Sequence, residues 1–189
     1  MRMFLRRSTL GREQLAVTMT SVGQGERALQ IGVNDPIIAA ALAAKPGLTG
    51  QSTVLVADER AAASARRAVA ETGALVDITV TPLETFPLED GSFDVVVIHN
   101  RDGLLAALGA PRPARVLKEC RRVVRTGGRV VVLETGAPSG LRARVRTLMG
   151  RGRQAAATAT TSALEAAGFR AVRTLGDRDN YRFIEGIRT

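Results

Sequence analysis

The stretch ALQIGVNDPIIAAAL, residues 28–42, decides the class of fold. Residues 27–33 predict a buried strand, and residues 36–45 predict an apolar helix with proline at its tolerated first position. A strand, a tight turn and a helix in this order are typical of α/β proteins, which bind ligands outside the carboxyl ends of their strands. Such a ligand-binding turn is normally rich in glycine, whereas this turn contains Asn34, Asp35 and Pro36.

The remaining chain repeats the alternation of strands and helices. Strands are predicted at residues 52–58, 74–80, 93–100 and 129–136, and helices at residues 59–73, 113–125 and 155–167. Two final strands, at 169–176 and 181–188, complete the set. The first five strands are nearly continuous runs of Val, Ile and Leu, which predicts a parallel sheet with helices on both faces.

Length and composition predict one cytoplasmic globular domain. The 189 residues suffice for a sizeable core, and we divide them into a helical N-terminal extension, 1–24, and a main domain, 25–189. The sequence has no apolar run near the ~20 residues that cross a bilayer. The single cysteine excludes an internal disulfide, and with a single histidine we expect no metal site.

The net charge of +9 has two interpretations. Five arginines lie in the segment Arg142–Arg153, which can contact an acidic protein partner or an anionic membrane surface, so that the protein would be peripheral to a membrane. The alternative is a solvated arginine-rich surface. Nucleic acid is not favoured as a partner, because aromatic residues make up only 3% of the chain and no binding motif occurs.

Three stretches carry a resemblance to a known family. They are PLEDGSFDVVV (87–97), VLKECRRVVRTGGRVVVLE (116–134) and ALEAAGFRAVRTL (163–175). In these stretches the chain resembles the class I S-adenosylmethionine-dependent methyltransferases, especially the type 11 group, with Thr126 where proline is usual. The resemblance implies a Rossmann-like α/β fold with a seven-stranded sheet of order 3-2-1-4-5-7-6, whose last strand is antiparallel.

The resemblance also implies S-adenosylmethionine as cofactor, held by a loop that is degenerate in this chain. Gly32 matches the first glycine of the family loop, but Asn34 and Pro36 stand where the later glycines are expected. Gln30 replaces the acidic residue before the loop. Asparagine tolerates a positive φ better than most residues, and Asp35 can cap the following helix. Gly32, Asn34 and Asp35 are therefore the cofactor-binding residues expected in this loop. Proline removes one amide donor.

The other cofactor positions implied by the resemblance follow the second and third strands. Asp58 matches the acid that binds the ribose hydroxyls, and the neighbouring Glu59 can share this role; the alternative for Asp58 is a helix N-cap. Pro82 replaces the acid expected at the adenine. Leu83 offers a backbone amide and an apolar side chain to the ring, and Glu84 is a candidate substitute for the missing acid.

His99 is the candidate catalytic residue. It follows the fourth strand, and an imidazole has a suitable pKa for a general base near neutral pH. The alternative is a histidine that is hydrogen-bonded at the strand end. Asn100 and Asp102 either orient an acceptor or turn the chain, and Cys120 is expected to lie in the core.

Two functional hypotheses follow from these residues. The first is methyl transfer from S-adenosylmethionine to a small-molecule acceptor. The second is a non-catalytic, methyltransferase-like scaffold or accessory subunit for an acidic or membrane-associated partner. The changes at Gln30, Asn34, Pro36 and Pro82 leave cofactor binding open, and the sequence leaves open whether the chain forms an oligomer.

Overall fold

Seven strands form a single sheet in this computed structural model, which describes residues 11, 13–136, 150–178 and 180–189, without the side chains of 150–157. The strands are β1 (Arg27–Ile31), β2 (Gln51–Val56), β3 (Asp77–Val80), β4 (Phe93–His99), β5 (Val124–Thr135), β6 (Arg170–Arg178) and β7 (Tyr181–Ile187). Their order is β3-β2-β1-β4-β5-β7-β6. β1 to β5 pair in parallel, and β7 is antiparallel to β5 and β6. The predicted order and the antiparallel last strand are confirmed.

Six helices connect or flank these strands in the described part of the chain. They are α1 (13–20), α2 (Pro36–Ala43), α3 (Glu59–Ala70), α4 (Leu104–Ala107), α5 (Arg112–Val123) and α6 (Gly150–Ala166), with a 3₁₀ turn at Gly47–Thr49. The predicted helices are present, but α4 was not predicted. None of the described helices is both long and apolar enough to cross a membrane.

The strands at β3 and β5 differ from their predicted bounds. β3 starts at residue 77 instead of 74, and β5 starts at residue 124 instead of 129. The early start of β5 has a physical cause: Val124 pairs with Phe93, and the register then shifts before Val95. Gly127 takes a φ of +76°, so the glycine pair makes an irregularity within the strand and does not end it.

The core lies on both faces of the sheet. On one face, α5 and α6 cover the inner side chains of β1, β4 and β5, with Leu117 and Leu164 fully buried. On the other face, α1 and α2 pack on the alternate residues of the same strands, with Ala16 and Ile38 buried. This two-sided packing explains why the central strands are apolar at successive positions, and it confirms helices on both faces.

The N-terminal helix α1 is anchored to the sheet through Arg129 of β5. The Arg129 guanidinium donates hydrogen bonds to the carbonyl oxygens of Thr20 (3.2 Å) and Ser21 (2.6 Å) and forms an ion pair with Glu26 at 3.0 Å. A cation at this place satisfies carbonyl groups that the helix end leaves unpaired. Residues 13–20 therefore belong to the helical layer on one face of the sheet. The division of the chain at residue 24 stays a prediction.

The two edges of the sheet are short or irregular. β3 has only four residues. β6 breaks register with β7 twice, and its Ala171 has a φ of +49°. The side chains of Arg170 and Arg178 are exposed on β6. Both edges are thus poor templates for pairing with a further strand.

Candidate functional site

The strand order reverses beside β1, so the carboxyl ends of β1, β2 and β4 form the expected ligand site. Gly32 begins the turn after β1 with a φ of +74°, and its N–H donates to the carbonyl of Leu55 at 2.8 Å. A Cβ atom at Gly32 would lie 2.7 Å from Cδ2 of Leu104. Glycine is therefore required here, but a leucine of α4 lies against it.

Gln30 and His99 form a buried polar pair beneath this turn. The Gln30 amide donates to the carbonyl of Ala39 at 3.0 Å, and its Oε1 lies 2.8 Å from Nε2 of His99. Both side chains are 2% exposed. Burial lowers the pKa of His99 to about 4, against a smaller opposing effect of the Asp35 charge. The imidazole is therefore neutral at pH 7, and its role as a general base stays a prediction.

Asp35 and Asn34 are both engaged within the protein. Asp35 Oδ1 accepts hydrogen bonds from the N–H groups of Ile37 (3.2 Å) and Ile38 (3.4 Å), which confirms the predicted cap of α2. The Asn34 amide donates to Asp102 at 3.2 Å, while its buried Oδ1 has no partner in the described chain. Asn34 does not adopt a positive φ, so the prediction that it replaces a glycine in this way is wrong. Within the turn, Gly32 supplies that conformation.

Asp58 keeps a carboxylate oxygen available at the carboxyl end of β2. Its Oδ1 accepts the N–H of Ala61 at 2.8 Å and so caps α3. The other oxygen accepts no hydrogen bond from the described residues, and the side chain is exposed. The cap and a role toward a ligand are therefore compatible. Its neighbour Glu59 is paired with Arg66 at 3.1 Å.

The residues predicted on the adenine side are mostly committed to the protein. Leu83 is 2% exposed and packs in the core, whereas Pro82 is exposed. Glu84 forms an ion pair with Arg112, and this bond holds the pKa of Glu84 below its usual value. The predicted substitution of Glu84 for the missing acid therefore requires that its ion pair with Arg112 breaks.

Cys120 is buried in the core, as predicted, and burial raises the pKa of its thiol.

The loop after β4 joins the turn after β1 to the last strand. The Arg101 guanidinium donates to the hydroxyl of Tyr181 at 2.9 Å and lies 4.7 Å from the centre of its ring. The Tyr181 hydroxyl in turn donates to Asp35 at 3.1 Å. Sequence reasoning missed Arg101 and Tyr181 because they meet only through the sheet order. Asn100 and Asp102 serve as loop-closing residues here.

A cavity of about 430 Å³ lies on the α5–α6 side of the sheet, at the carboxyl ends of β4 and β5. Its apolar wall includes Leu105, Leu117 and Ala163, and its polar wall includes Asn100 and Glu134. His99 points to the opposite face, because side chains alternate along a strand and its cross-strand neighbour Leu133 packs with α1 and α2. Asn100 and Glu134 therefore line the cavity, and His99 does not.

Glu134 was also missed by sequence reasoning, although a signal was present. A lone carboxylate directly after the apolar run of a strand predicts a polar group at the sheet's carboxyl edge. Glu134 is 6% exposed, and its Oε1 accepts hydrogen bonds from Asn100 at 3.1 Å and from Thr160. Its Oε2 accepts none from the residues that the structure describes.

The comparison with protein families agrees with this geometry. A family model described as "Methyltransferase domain" matches residues 29–132, more than half of the chain. The chain belongs to this methyltransferase family. The match runs from β1 into β5 and so includes the point where the strand order reverses. The predicted resemblance to S-adenosylmethionine-dependent methyltransferases is confirmed.

Solved structures show the same fold as this methyltransferase-family chain. An S-adenosylmethionine-dependent methyltransferase from Aquifex aeolicus has a TM-score of 0.69 at 15% identity, covering 94% of this chain and 89% of its own. An arsenic(III) S-adenosylmethionine methyltransferase from Chlamydomonas reinhardtii has a TM-score of 0.61 at 20% identity, covering 89% and 65%. No curated protein sequence matches the chain. At these identities the likeness shows the fold alone.

A third neighbour was solved with a protein partner. It is a Haloferax volcanii methyltransferase in complex with the Trm112 methyltransferase activator, with a TM-score of 0.64 at 14% identity, covering 92% of this chain and 87% of its own. The segment Arg142–Arg153, predicted to contact an acidic partner or a membrane, has no described side chains. That prediction therefore lies outside the described residues.

S-adenosylmethionine is the cofactor that this family implies. The residues of the site suit its ribose better than its methionyl group. Asp58 can accept hydrogen bonds from a ribose at the end of β2. On the amino-acid side, Leu104 fills the space over Gly32, and the polar atoms of Gln30 and Asp35 are bonded within the protein. The ribose acceptor is therefore in place, whereas the methionyl group requires Leu104 to move away from Gly32.

Proposed function

We propose that this chain transfers a methyl group from S-adenosylmethionine to a small-molecule acceptor. The observation that carries the proposal is the cavity at the ends of β4 and β5, which has an apolar wall and a single carboxylate. Its volume of about 430 Å³ lies in the range of small-molecule sites. It adjoins the 100–105 loop, whose Leu104 lies on Gly32 and whose Leu105 lines the cavity.

The chain's own residues would bind and orient the two ligands. When bound, the cofactor would supply an electrophilic methyl group on its sulfonium centre. Asp58 would hold the ribose with its free oxygen while it continues to cap α3. Leu105 and Leu117 would keep water away from an acceptor, and alignment with exclusion of water contributes much of the acceleration in such reactions.

Titration calorimetry with S-adenosylmethionine and its demethylated product tests the proposal. The variant Asp58→Asn keeps the N-cap, because Asn and Asp cap helices about equally well, but it removes the charge. We expect it to weaken binding about tenfold, the usual effect of losing a charge-assisted hydrogen bond. Glu71→Gln, at the other end of α3, makes the same charge change and should leave the affinity unaltered.

Absence of binding at millimolar cofactor would contradict the proposal, and so would an equal effect of the two variants. Thermal unfolding of each variant controls for folding. The comparison of both ligands is informative, because the free product lacks the positive charge of the sulfonium but shares the ribose and the amino-acid group.

A non-catalytic role is the second candidate, and the packing of Leu104 against Gly32 favours it. In that case the fold would act as a scaffold or accessory subunit for an acidic or membrane-associated partner, drawn by the net charge of +9. It predicts no heat in the cofactor titration, together with an association that weakens as salt rises. Cofactor binding that responds to Asp58→Asn would exclude it.

A further inference from the structure

Glu134 presents one oxygen to the cavity without a protein donor. The residue is 6% exposed, and both donors that reach it, Asn100 and Thr160, bond to Oε1. Its Oε2 accepts no hydrogen bond from the described residues. This oxygen is open to solvent through the cavity, so a donor on a bound molecule can take the place of water there.

Two arginines of the described chain lie close to Glu134, and both are bonded to other residues. Arg182 stands directly opposite Glu134 in the antiparallel β5–β7 register, but its guanidinium donates to Asp177 at 2.7 and 3.0 Å. Arg101 lines the same cavity, but it donates to Tyr181 and stacks on its ring. Among the described residues, Glu134 forms no ion pair. An ammonium group bound in the cavity would therefore meet no competing ion pair from these residues.

The rest of the cavity determines what else such a molecule must carry. The apolar lining of the cavity consists of Leu105, Ala106, Pro113, Leu117, Ala159 and Ala163. An apolar wall of this size favours a hydrocarbon or aromatic body through the hydrophobic effect. A fully hydrated inorganic cation would gain nothing from it.

We propose that this cavity binds a small organic amine, whose ammonium group donates to Oε2 of Glu134 and whose apolar body packs against α4, α5 and α6. The inference rests on the proposed function in one respect: it identifies the acceptor of that reaction as an amine-bearing molecule. Recognition itself requires only the cavity and Glu134. A charge-assisted hydrogen bond of this kind is about twice as strong as a neutral one.

The test uses the full chain at pH 7 without S-adenosylmethionine and compares two probes of the same shape. Phenethylamine carries the ammonium, and 2-phenylethanol replaces it by a neutral hydroxyl. Ligand-observed NMR titration gives both dissociation constants. We expect the wild-type chain to bind phenethylamine about tenfold more tightly than 2-phenylethanol.

The isosteric variant Glu134→Gln keeps an oxygen for Asn100 and Thr160 but removes the charge. We expect it to abolish the preference for the amine, while the affinity for 2-phenylethanol changes less than about threefold. The control Glu165→Gln changes an exposed carboxylate on α6 and should behave as the wild type. Equal loss of both probes in Glu134→Gln would overturn the inference, and so would no preference in the wild type.

A second variant keeps the test decisive if Glu134→Gln fails to fold. Ala163→Phe places a large side chain into the cavity from α6 and should abolish binding of phenethylamine. Unchanged binding in Ala163→Phe would place the amine elsewhere and overturn the inference. The amine titration contains no cofactor, so its result is independent of the calorimetric titration with S-adenosylmethionine. A negative result in one experiment therefore does not contradict the proposal that the other experiment tests.

Discussion

At the scale of single residues, Gln30 changes the chemistry at the end of β1. An acidic residue here would carry its charge into the core beside His99. The amide instead accepts from the imidazole and donates to the carbonyl of Ala39, so two neutral groups satisfy each other. The pair costs no buried charge, and it holds the turn after β1 against α2 and β4.

This pairing predicts a pH dependence of stability. The pKa of His99 is about 4 in the folded chain and 6.5 when unperturbed, so the unfolded state binds more protons between these values. Stability should be highest above pH 6.5 and fall by about 3 kcal/mol as the pH approaches 4. Urea unfolding across this range measures the effect, and NMR of the single histidine gives its pKa directly.

The variant His99→Gln supplies the control, since it removes the titrating group and can still bond to Gln30. Its stability should depend little on pH between 6.5 and 4.5. The carboxylates with lowered pKa values, Glu84, Asp94 and Glu119, lose their stabilising contribution mainly below pH 4.5. A histidine that titrates near 6.5 in the folded chain would contradict the buried pair.

Some of the site could be predicted at this scale, and the rest could not. The caps by Asp35 and Asp58 depend on residues two or three positions away, so local sequence suffices to find them. Gln30 and His99 are 69 positions apart, and their contact depends on the register between β1 and β4. Glu134 could be suspected from its place after a strand, but its free oxygen depends on the positions of Asn100 and Thr160.

At the scale of elements, the short helix α4 separates the two ligand regions. It follows Gly103, which has a φ of +75°, and it has only four residues. Its first leucine lies against Gly32 and its second lines the cavity. Four residues are too few to show a helical period, which explains why the sequence did not predict it. Displacement of this one turn would open the space over Gly32.

Shortening the side chain on α4 should therefore favour the whole cofactor. We expect Leu104→Ala to raise the affinity for S-adenosylmethionine about threefold to tenfold while the affinity for adenosine stays constant, because only the methionyl group needs that space. Calorimetry of both ligands measures this difference. Leu108→Ala, which shortens another half-buried leucine just after α4, is the matched control. Equal changes for both ligands would contradict the assignment of the space to the methionyl group.

At the scale of the molecule, the fold was largely predictable because each central strand is apolar and each is followed by a helix or turn signal. The sheet order came from the family resemblance, since alternation alone does not order strands. The close packing of α1 on the sheet could not be predicted, because it depends on Arg129, which lies 108 and 109 positions from the carbonyls of Ser21 and Thr20 that it binds.

Removal of residues 1–24 should consequently destabilise the whole molecule. The truncated chain loses the contacts of Ala16 and Val22 and leaves Arg129 without its two carbonyl acceptors. We expect the free energy of unfolding to fall by about 2–4 kcal/mol. Urea unfolding measures it, and Arg129→Gln in the full chain should reproduce part of the loss. Equal stability of the truncated and full chains would show that α1 is dispensable for the fold.

The irregular course of β6 bears on how copies of this protein behave when crowded together. Two such strands aligned side by side would bring guanidinium groups of like charge face to face, and the kink at Ala171 would prevent a continuous ladder of backbone bonds. The outermost strand thus discourages the edge-to-edge joining of sheets from neighbouring molecules.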